Sequence, residues 1–327
     1  MAIALFACFL VSMTCGKYPV ALRDIFSVLS HLIFGTPADY ESAVETVVYQ
    51  VRLPRLLSCV FAGAALSVSG AAYQGVFRNP MVSPDLLGAS SGAALGSCIA
   101  ILCSFPAVLM HLSAFIFGIG AVALTLVISS LVSRRMNSTI TLVLTGIVVS
   151  ALFNAGVSIT KSLADTDDKL GEITFWLMGS MTHMRPNSIL ILIIPVVAGI
   201  IPLILCSYRL NLLSFGDEEA RTMGINVRNM RILVIICATL ATSATVATCG
   251  MVGWIGLVIP HFVRMITGPD HKKLIPASVF AGGLFLILVD NISRIFFQVE
   301  ISVGILTAVI GAPFFLALLI RKRGEWQ

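Results

Sequence analysis

Long apolar runs alternate with short polar joints along nearly the whole chain. Taken between charges and turn residues, the runs predict membrane-spanning helices near 2–15, 56–77, 86–104, 107–131, 139–161, 188–207, 232–249, 252–266, 274–294 and 304–320. The joints hold Gly and Pro (Asn79-Pro80, Pro84, Gly171, Pro186, Gly268-Pro269), where a helix stops and its backbone groups need other partners. Several runs are short, and 252–266 is expected to cross only partly. The period-two alternation of outer-membrane strands is missing, which excludes a barrel. The expected fold class is all-α: a polytopic membrane protein of about ten transmembrane helices. It forms a single transmembrane domain over 1–327, with no separate soluble domain.

Composition supports that picture. The chain is 57% hydrophobic and 11% charged, whereas a soluble domain carries about 25% charged residues. The first run, Ala2 to Cys15, lacks the charged start and cleavage site of a signal peptide and is read as a span. The eight cysteines lie in or at the ends of apolar runs with no CxxC or Cys/His cluster, so they are packing thiols, and no metal site is expected.

One stretch breaks the apolar pattern, YRLNLLSFGDEEARTMGINVRNMR from Tyr208 to Arg231. It reads as a folded elbow of two short helices. Ser214 with Asp217 resembles a capping box, and Asp217, Glu218 and Glu219 suit a helix N-terminus. Gly224 stops that helix, and Asn226 opens a turn that runs through Arg228 and Arg231 into the next span. With the N-terminus inside, most of the twenty-one Lys and Arg residues fall on the inner side, among them Arg78, Arg134, Arg135, Arg209, Arg221, Arg264, Lys272, Lys273 and Arg321. The positive-inside rule then puts the elbow and both termini in the cytoplasm. This bias accounts for the net charge of +5, so nucleic acid is not needed as a partner.

In the fifth run, Thr139, Gly146, Ser150, Asn154, Ser158 and Lys161 share one side of a helix. Such a stripe faces either a neighbouring helix or a water-filled path. The last run carries a comparable face, Glu300, Gly304, Thr307 and Gly311. Asp290 and Arg294, one turn apart, read as a structural pair, with Arg294 reaching the outer surface. Arg52 and Arg55 sit at the outer mouth of the second run. His261 has no companion ligands and reads as a hydrogen-bonding histidine. Met178, Met181, His183 and Met184 read as a packed outer loop. No G-x4-G-K-[ST] phosphate loop occurs, so the chain is not an ATPase. No buried chain of acids supports ion coupling, the mark of the different-class alternative, a secondary transporter working alone.

The motifs VRLPRLLSCVFAGAALSVSGAAYQGVFRNPMVSPDLLGASSGAALG (51–96), GDEEARTMG (216–224), GWIGLVIPHFVRMITGPDHKKLIP (253–276), and VDNISR with EISVGILTAVIGAPFFLALL (289–294, 300–319) resemble the FecCD family. These are permeases of type II ATP-binding-cassette importers for iron chelates, haem and cobalamin. The resemblance implies the importer permease fold, a homodimer in a prokaryotic inner membrane, two cytoplasmic ATP-binding subunits below and an extracytoplasmic substrate-binding protein above. It implies no cofactor on this chain, with ATP-Mg held by the partner ATPase. It also implies that Ser214, Phe215, Gly216, Asp217, Glu218, Glu219, Ala220, Arg221, Met223 and Gly224 couple to the ATPase, and that Arg52 and Arg294 dock the binding protein. Ser138 and Thr139 match a cytoplasmic gate, and Gly146, Ser150, Asn154, Ser158, Gly304, Thr307 and Gly311 line the translocation path. Ile140 and Thr141 depart from the gate of the cobalamin transporter, and Ser302 stands where a proline is usual. Ferric siderophore is the expected cargo, with haem, cobalamin and molybdate as alternatives.

Overall fold

The computed structural model describes every residue except 17, 36, 38, 39, 133–138, 166, 167, 183, 298 and 323–327, and leaves out the side chains at 33, 139 and 318–322. The described elements are α1 (Ala2–Thr14), α2 (Leu22–Phe34), α3 (Ser42–Glu45), α4 (Leu53–Phe77), α5 (Ala89–Leu102), α6 (Ala107–Val132), α7 (Thr139–Leu163), α8 (Lys169–Leu177), α9 (Pro186–Leu205), α10 (Ser207–Ser214), α11 (Asp217–Thr222), α12 (Val227–Cys249), α13 (Ile255–Thr267), α14 (His271–Ile295) and α15 (Val303–Lys322). A π-helical stretch, Thr46–Arg52, joins α3 to α4, and a 3₁₀ turn, Pro84–Leu87, precedes α5. No strand occurs among the described residues. Each of the ten apolar runs has its helix. Six helical segments have the length and composition to cross a membrane, and α1, α5, α13 and α15 are shorter apolar helices.

Chain direction sorts the helix ends into two rims. The elbow rim gathers the ends of α4, α6, α9 and α13 with the starts of α7, α12 and α14. The far rim gathers the ends of α1, α5, α7, α12 and α14 with the starts of α4, α6, α9 and α15. The stretch between α1 and α4 is largely helical and belongs to the far rim. There α2 buries Ile25 and Val28 while leaving Leu22 and Phe26 exposed.

Helix α4 is the axis of the bundle. Its rod, Ser42–Phe77, has 83% of its apolar window buried, against 17% for α7. The cause is side-chain size: Gly63, Ala64, Ala65, Ser67, Ser69, Gly70, Ala71 and Ala72 let neighbouring backbones come close, which is how helices without a hydrophobic driving force associate in lipid. A Cβ on Gly63 would collide with the backbone of Gly282 in α14, and one on Gly282 with Gly63. Gly70 meets the backbone of Gly256 in α13 the same way. Helices α6, α7 and α9, rich in Leu, Ile and Val, form the outer layer, with Leu112, Ile116, Leu152, Ile159, Leu190 and Ile194 exposed.

Two crossings are discontinuous. At about 1.5 Å per residue α12 is about 34 Å long and spans the ~30 Å hydrocarbon core, while α13 is only about 20 Å long. The chain therefore covers the remaining ~10 Å as non-helical backbone, residues 250–254. Likewise α5 is short, and 79–88 completes its crossing from the elbow rim. The two breaks approach one another against α4: a Cβ on Gly256 would press on the Pro84 ring and the Leu66 carbonyl. This explains the expectation that 252–266 crosses only in part.

Candidate functional site

The elbow folds as α10, α11 and the start of α12, and its sequence signals divide into inward and outward groups. Ala220 is fully buried, Gly216 is buried as the N-cap of α11 with φ +131°, and Gly224 takes φ +82° beyond its end, so both glycines hold backbone conformations that disfavour side chains. Asp217 points back into the protein. Arg231 Nη2 donates 2.9 Å to each of its carboxylate oxygens, and Arg78 Nη2, at the end of α4, donates at 3.3 Å. Phe215, Glu218, Glu219, Arg221 and Met223 face outward, leaving an exposed patch with two large apolar side chains among charges. Ser214 departs from its expected role. Its hydroxyl donates 2.6 Å to the Asn211 carbonyl, satisfying the last turn of α10, and the capping position of α11 falls to Gly216. Asn226 caps α12 through its side-chain oxygen, which accepts from Asn229 N at 3.1 Å.

The first helix of the elbow is tied to α14. Asn211 Nδ2 donates 2.6 Å to Asp270 Oδ1, and Asn211 Oδ1 accepts the His271 backbone N–H at 2.8 Å and lies 2.9 Å from His271 Nδ1. Lys272 Nζ sits 5.2 Å from the centre of the Tyr208 ring. Asp270 caps α14 by accepting from Lys272 N at 2.9 Å. The Asn211 donor and then the Lys272 N–H hold its carboxyl below the usual carboxylate range.

The two polar stripes have different fates. On α7, Gly146 packs against the Leu86 carbonyl and Ser150 lies beside Gly88, both contacts to the chain's own 79–88 break. Asn154 and Ser158 are exposed. Ala151, Ala155 and Ser162 share their arc on the far-rim half, while Ile140, Leu144 and Ile147 occupy it on the elbow-rim half. Thr139 opens α7, its side chain outside the description, and Ser138 lies outside the described residues. On α15 the stripe turns inward, which corrects its expected place on an open path. Gly304 packs against the Met178 and Met251 carbonyls, Gly311 against Trp254, and Thr307 is fully buried, donating 2.9 Å to the Gly304 carbonyl. The cause is the break at 250–254, whose backbone needs a helix surface without side chains beside it. Main-chain N–H groups of Met251, Val252, Gly253 and Trp254 have no hydrogen-bond partner among the described residues.

Arg52 and Arg294, expected at the surface, are buried at 4% and 7% exposure. The end of α1 explains this correction, because its last carbonyls have no intrahelical partner. Arg52 donates to the carbonyls of Met13 and Tyr18, and Arg294 to those of Cys15 and Ser12 at 3.4 and 3.5 Å. Arg294 also forms an ion pair with Asp290 at 3.0 Å, as its spacing predicts, without hydrogen-bond geometry. Arg55 is the hub. Its Nε donates 2.9 Å to Asp290 and its Nη1 2.9 Å to Glu300, to which Thr182 Oγ1 donates at 3.2 Å. One arginine thus joins α4, α14, the approach to α15 and the loop after α8. The sequence placed Arg55 at this mouth, but nothing in it paired a residue of α4 with carboxylates 235 and 245 positions away.

Residues 4–321 match the FecCD transport family. The chain belongs to that family. Among its relatives, the molybdate import system permease protein MolB of Haemophilus influenzae is 37% identical over 96% of this chain and 92% of its own length. The iron(III) dicitrate transport system permease protein FecD of Escherichia coli is 36% identical over 99% and 98% of the two chains. The hemin transport system permease protein HmuU of Yersinia pestis is 38% identical over 84% and 83%. A solved structure described as an inward-facing, metal-chelate type ABC transporter superposes with a TM-score of 0.87 at 35% identity, covering 98% of this chain and 97% of that one. This FecCD protein is accordingly a multi-pass inner-membrane permease of a metal-chelate type ABC importer. It is not an enzyme: ATP hydrolysis belongs to a partner subunit, and a substrate-binding protein completes the system.

Proposed function

We propose that this permease imports a ferric chelate, most simply a ferric siderophore, as a homodimer driven by two ATPases docked on the elbow. The elbow rim is the cytoplasmic one, since Arg78, Arg209, Arg221, Arg228, Arg231, Arg264, Lys272 and Lys273 all lie there, and both termini share that side. The observation that carries the reading is the outward patch of Phe215, Glu218, Glu219, Arg221 and Met223, held rigid from behind by Asp217. An unpartnered loop has no need of an ion-paired scaffold beneath an exposed apolar pair. Two copies meet through α7, where Asn154 and Ser158 with the small residues beside them line the path and Ile140, Leu144 and Ile147 narrow it toward the cytoplasm. The chain itself binds no cofactor, and ATP-Mg belongs to the ATPase.

Binding-protein docking at the far rim uses the net positive charge of Arg52, Arg55 and Arg294 against Asp290 and Glu300. Burial means that docking acts on this cluster through its rim and not through free side chains. A second reading, import of a molybdate-type oxyanion, is favoured by the 37% identity to MolB over 96% of the chain. Reconstitution in vesicles with ATPase and binding protein separates the two. Uptake stimulated by ferric siderophore and not by molybdate supports the first; the reverse selects the second. Uptake by the purified chain alone under an ion gradient overturns both.

A further inference from the structure

The elbow is held at two separate places, one leading to α4 and α12 and the other to α14. At one, Asp217 is gripped by Arg78 from the end of α4 and by Arg231 from the start of α12. At the other, Asn211 spends its whole amide on α14: its NH₂ reaches Asp270 and its oxygen takes the His271 backbone N–H and faces the ring nitrogen. Helices α4 and α14 cross backbone to backbone at Gly63 and Gly282. They are joined again at the far rim by Arg55 on Asp290. Leu210 and Leu213, on the same elbow helix as Asn211, are buried in the main hydrophobic core. An asparagine at 211 is costly there unless every polar atom is used, because a half-buried amide left unpaired loses its hydration for nothing. Here donor and acceptor are both used.

We propose that Asn211 is a positioning residue for ATP-driven transport, locking the first elbow helix to Asp270 and His271 so that the elbow, α4 and α14 move as one rigid body. Nucleotide-driven displacement of the elbow is then delivered to the far rim without loss, and the relative motion is left to the loosely covered α7. The proposal rests on the elbow as the ATPase contact, and it assigns no contact with ATPase or cargo to Asn211 itself.

The test uses the full complex, with ATPase and binding protein, in vesicles. The readout is cargo moved per ATP hydrolysed. Asn211→Ala is expected to lower that ratio about tenfold, a typical size for a coupling between sites, while ATPase co-purification stays intact. Asn211→Asp keeps the acceptor for the His271 N–H but removes the donor to Asp270 Oδ1, which also caps Lys272 N, and is expected to lower the ratio as well. A purely structural role predicts lower yield and thermal stability at an unchanged ratio, and an unchanged ratio overturns the proposal. If the alanine variant does not assemble, Asn211→Asp decides: a lowered ratio in the assembled complex supports the lock, and an unchanged ratio overturns it. Failure of the elbow reading shows elsewhere, as undiminished ATPase co-purification in Glu218→Arg.

Discussion

Replacing Arg55 by Met tests whether the far-rim charge cluster holds the bundle together. Asp290 has no exposed side-chain surface, and Glu300 is 31% exposed. Removing one partner of a fully buried ion pair costs about 3–5 kcal/mol, because the other charge is left uncompensated. Here Asp290 keeps Arg294 at 3.0 Å, so its share falls to roughly 2–3 kcal/mol. The Glu300 pair, partly screened by solvent, adds about 0–1 kcal/mol. A total near 3 kcal/mol corresponds to a fall in Tm of about 6–12 °C at ~2–4 °C per kcal/mol. Asp290→Asn leaves two arginines facing each other in the interior and is expected to cost more, whereas Glu300→Gln costs less than about 1 kcal/mol. The assay is thermal unfolding of the purified permease in detergent with a thiol-reactive dye, which reports the exposure of buried Cys59, Cys98, Cys237 and Cys249. A Tm for Arg55→Met within a degree of the unmodified protein, or equal losses for Asp290→Asn and Glu300→Gln, would refute the reasoning.

Arg52→Ala and Arg294→Ala are each expected to lower the stability of the isolated permease by about 1–3 kcal/mol, since each strands carbonyls at the end of α1; effects confined to binding-protein affinity would contradict the burial described above. Gly70→Leu drives a side chain into the Gly256 backbone, and loss of folded protein in membranes is the expected result, with Gly171→Ala, where a Cβ meets nothing within 4 Å, as the tolerated control. Asp270 has a lowered pKa, so its contribution is present above the unfolded carboxylate value and disappears as pH falls through the folded one. The stability difference between the unmodified protein and Asp270→Asn is therefore expected to be constant near neutrality and to close in acid; a difference unchanged down to the lowest pH would falsify the capping role.

The ten apolar helices were legible because hydropathy marks them, and each predicted run coincides with a helix, six of them within segments long enough to cross. The elbow was legible too, since charge in a greasy chain has few explanations, and Gly224 and Asn226 act as their residue types suggest. What was not legible depended on contacts distant in sequence. Arg52 and Arg294 read as surface groups because nothing local shows that the end of α1 needs them. The stripe on α15 looked like that on α7, yet small residues serve equally for a path and for close packing, and only the 250–254 break decides between the two. Asn211, a single polar residue in a polar stretch, had no signal at all.

That break also bears on where solvent goes. Four consecutive main-chain amides with no acceptor among the described residues, from Met251 to Trp254, lie between α12 and α13. Hydrocarbon cannot satisfy them, so they must meet water or cargo. Deuterium should consequently enter this short segment quickly while the flanking turns of α12 and α13 stay protected, marking a wet seam inside the chain itself.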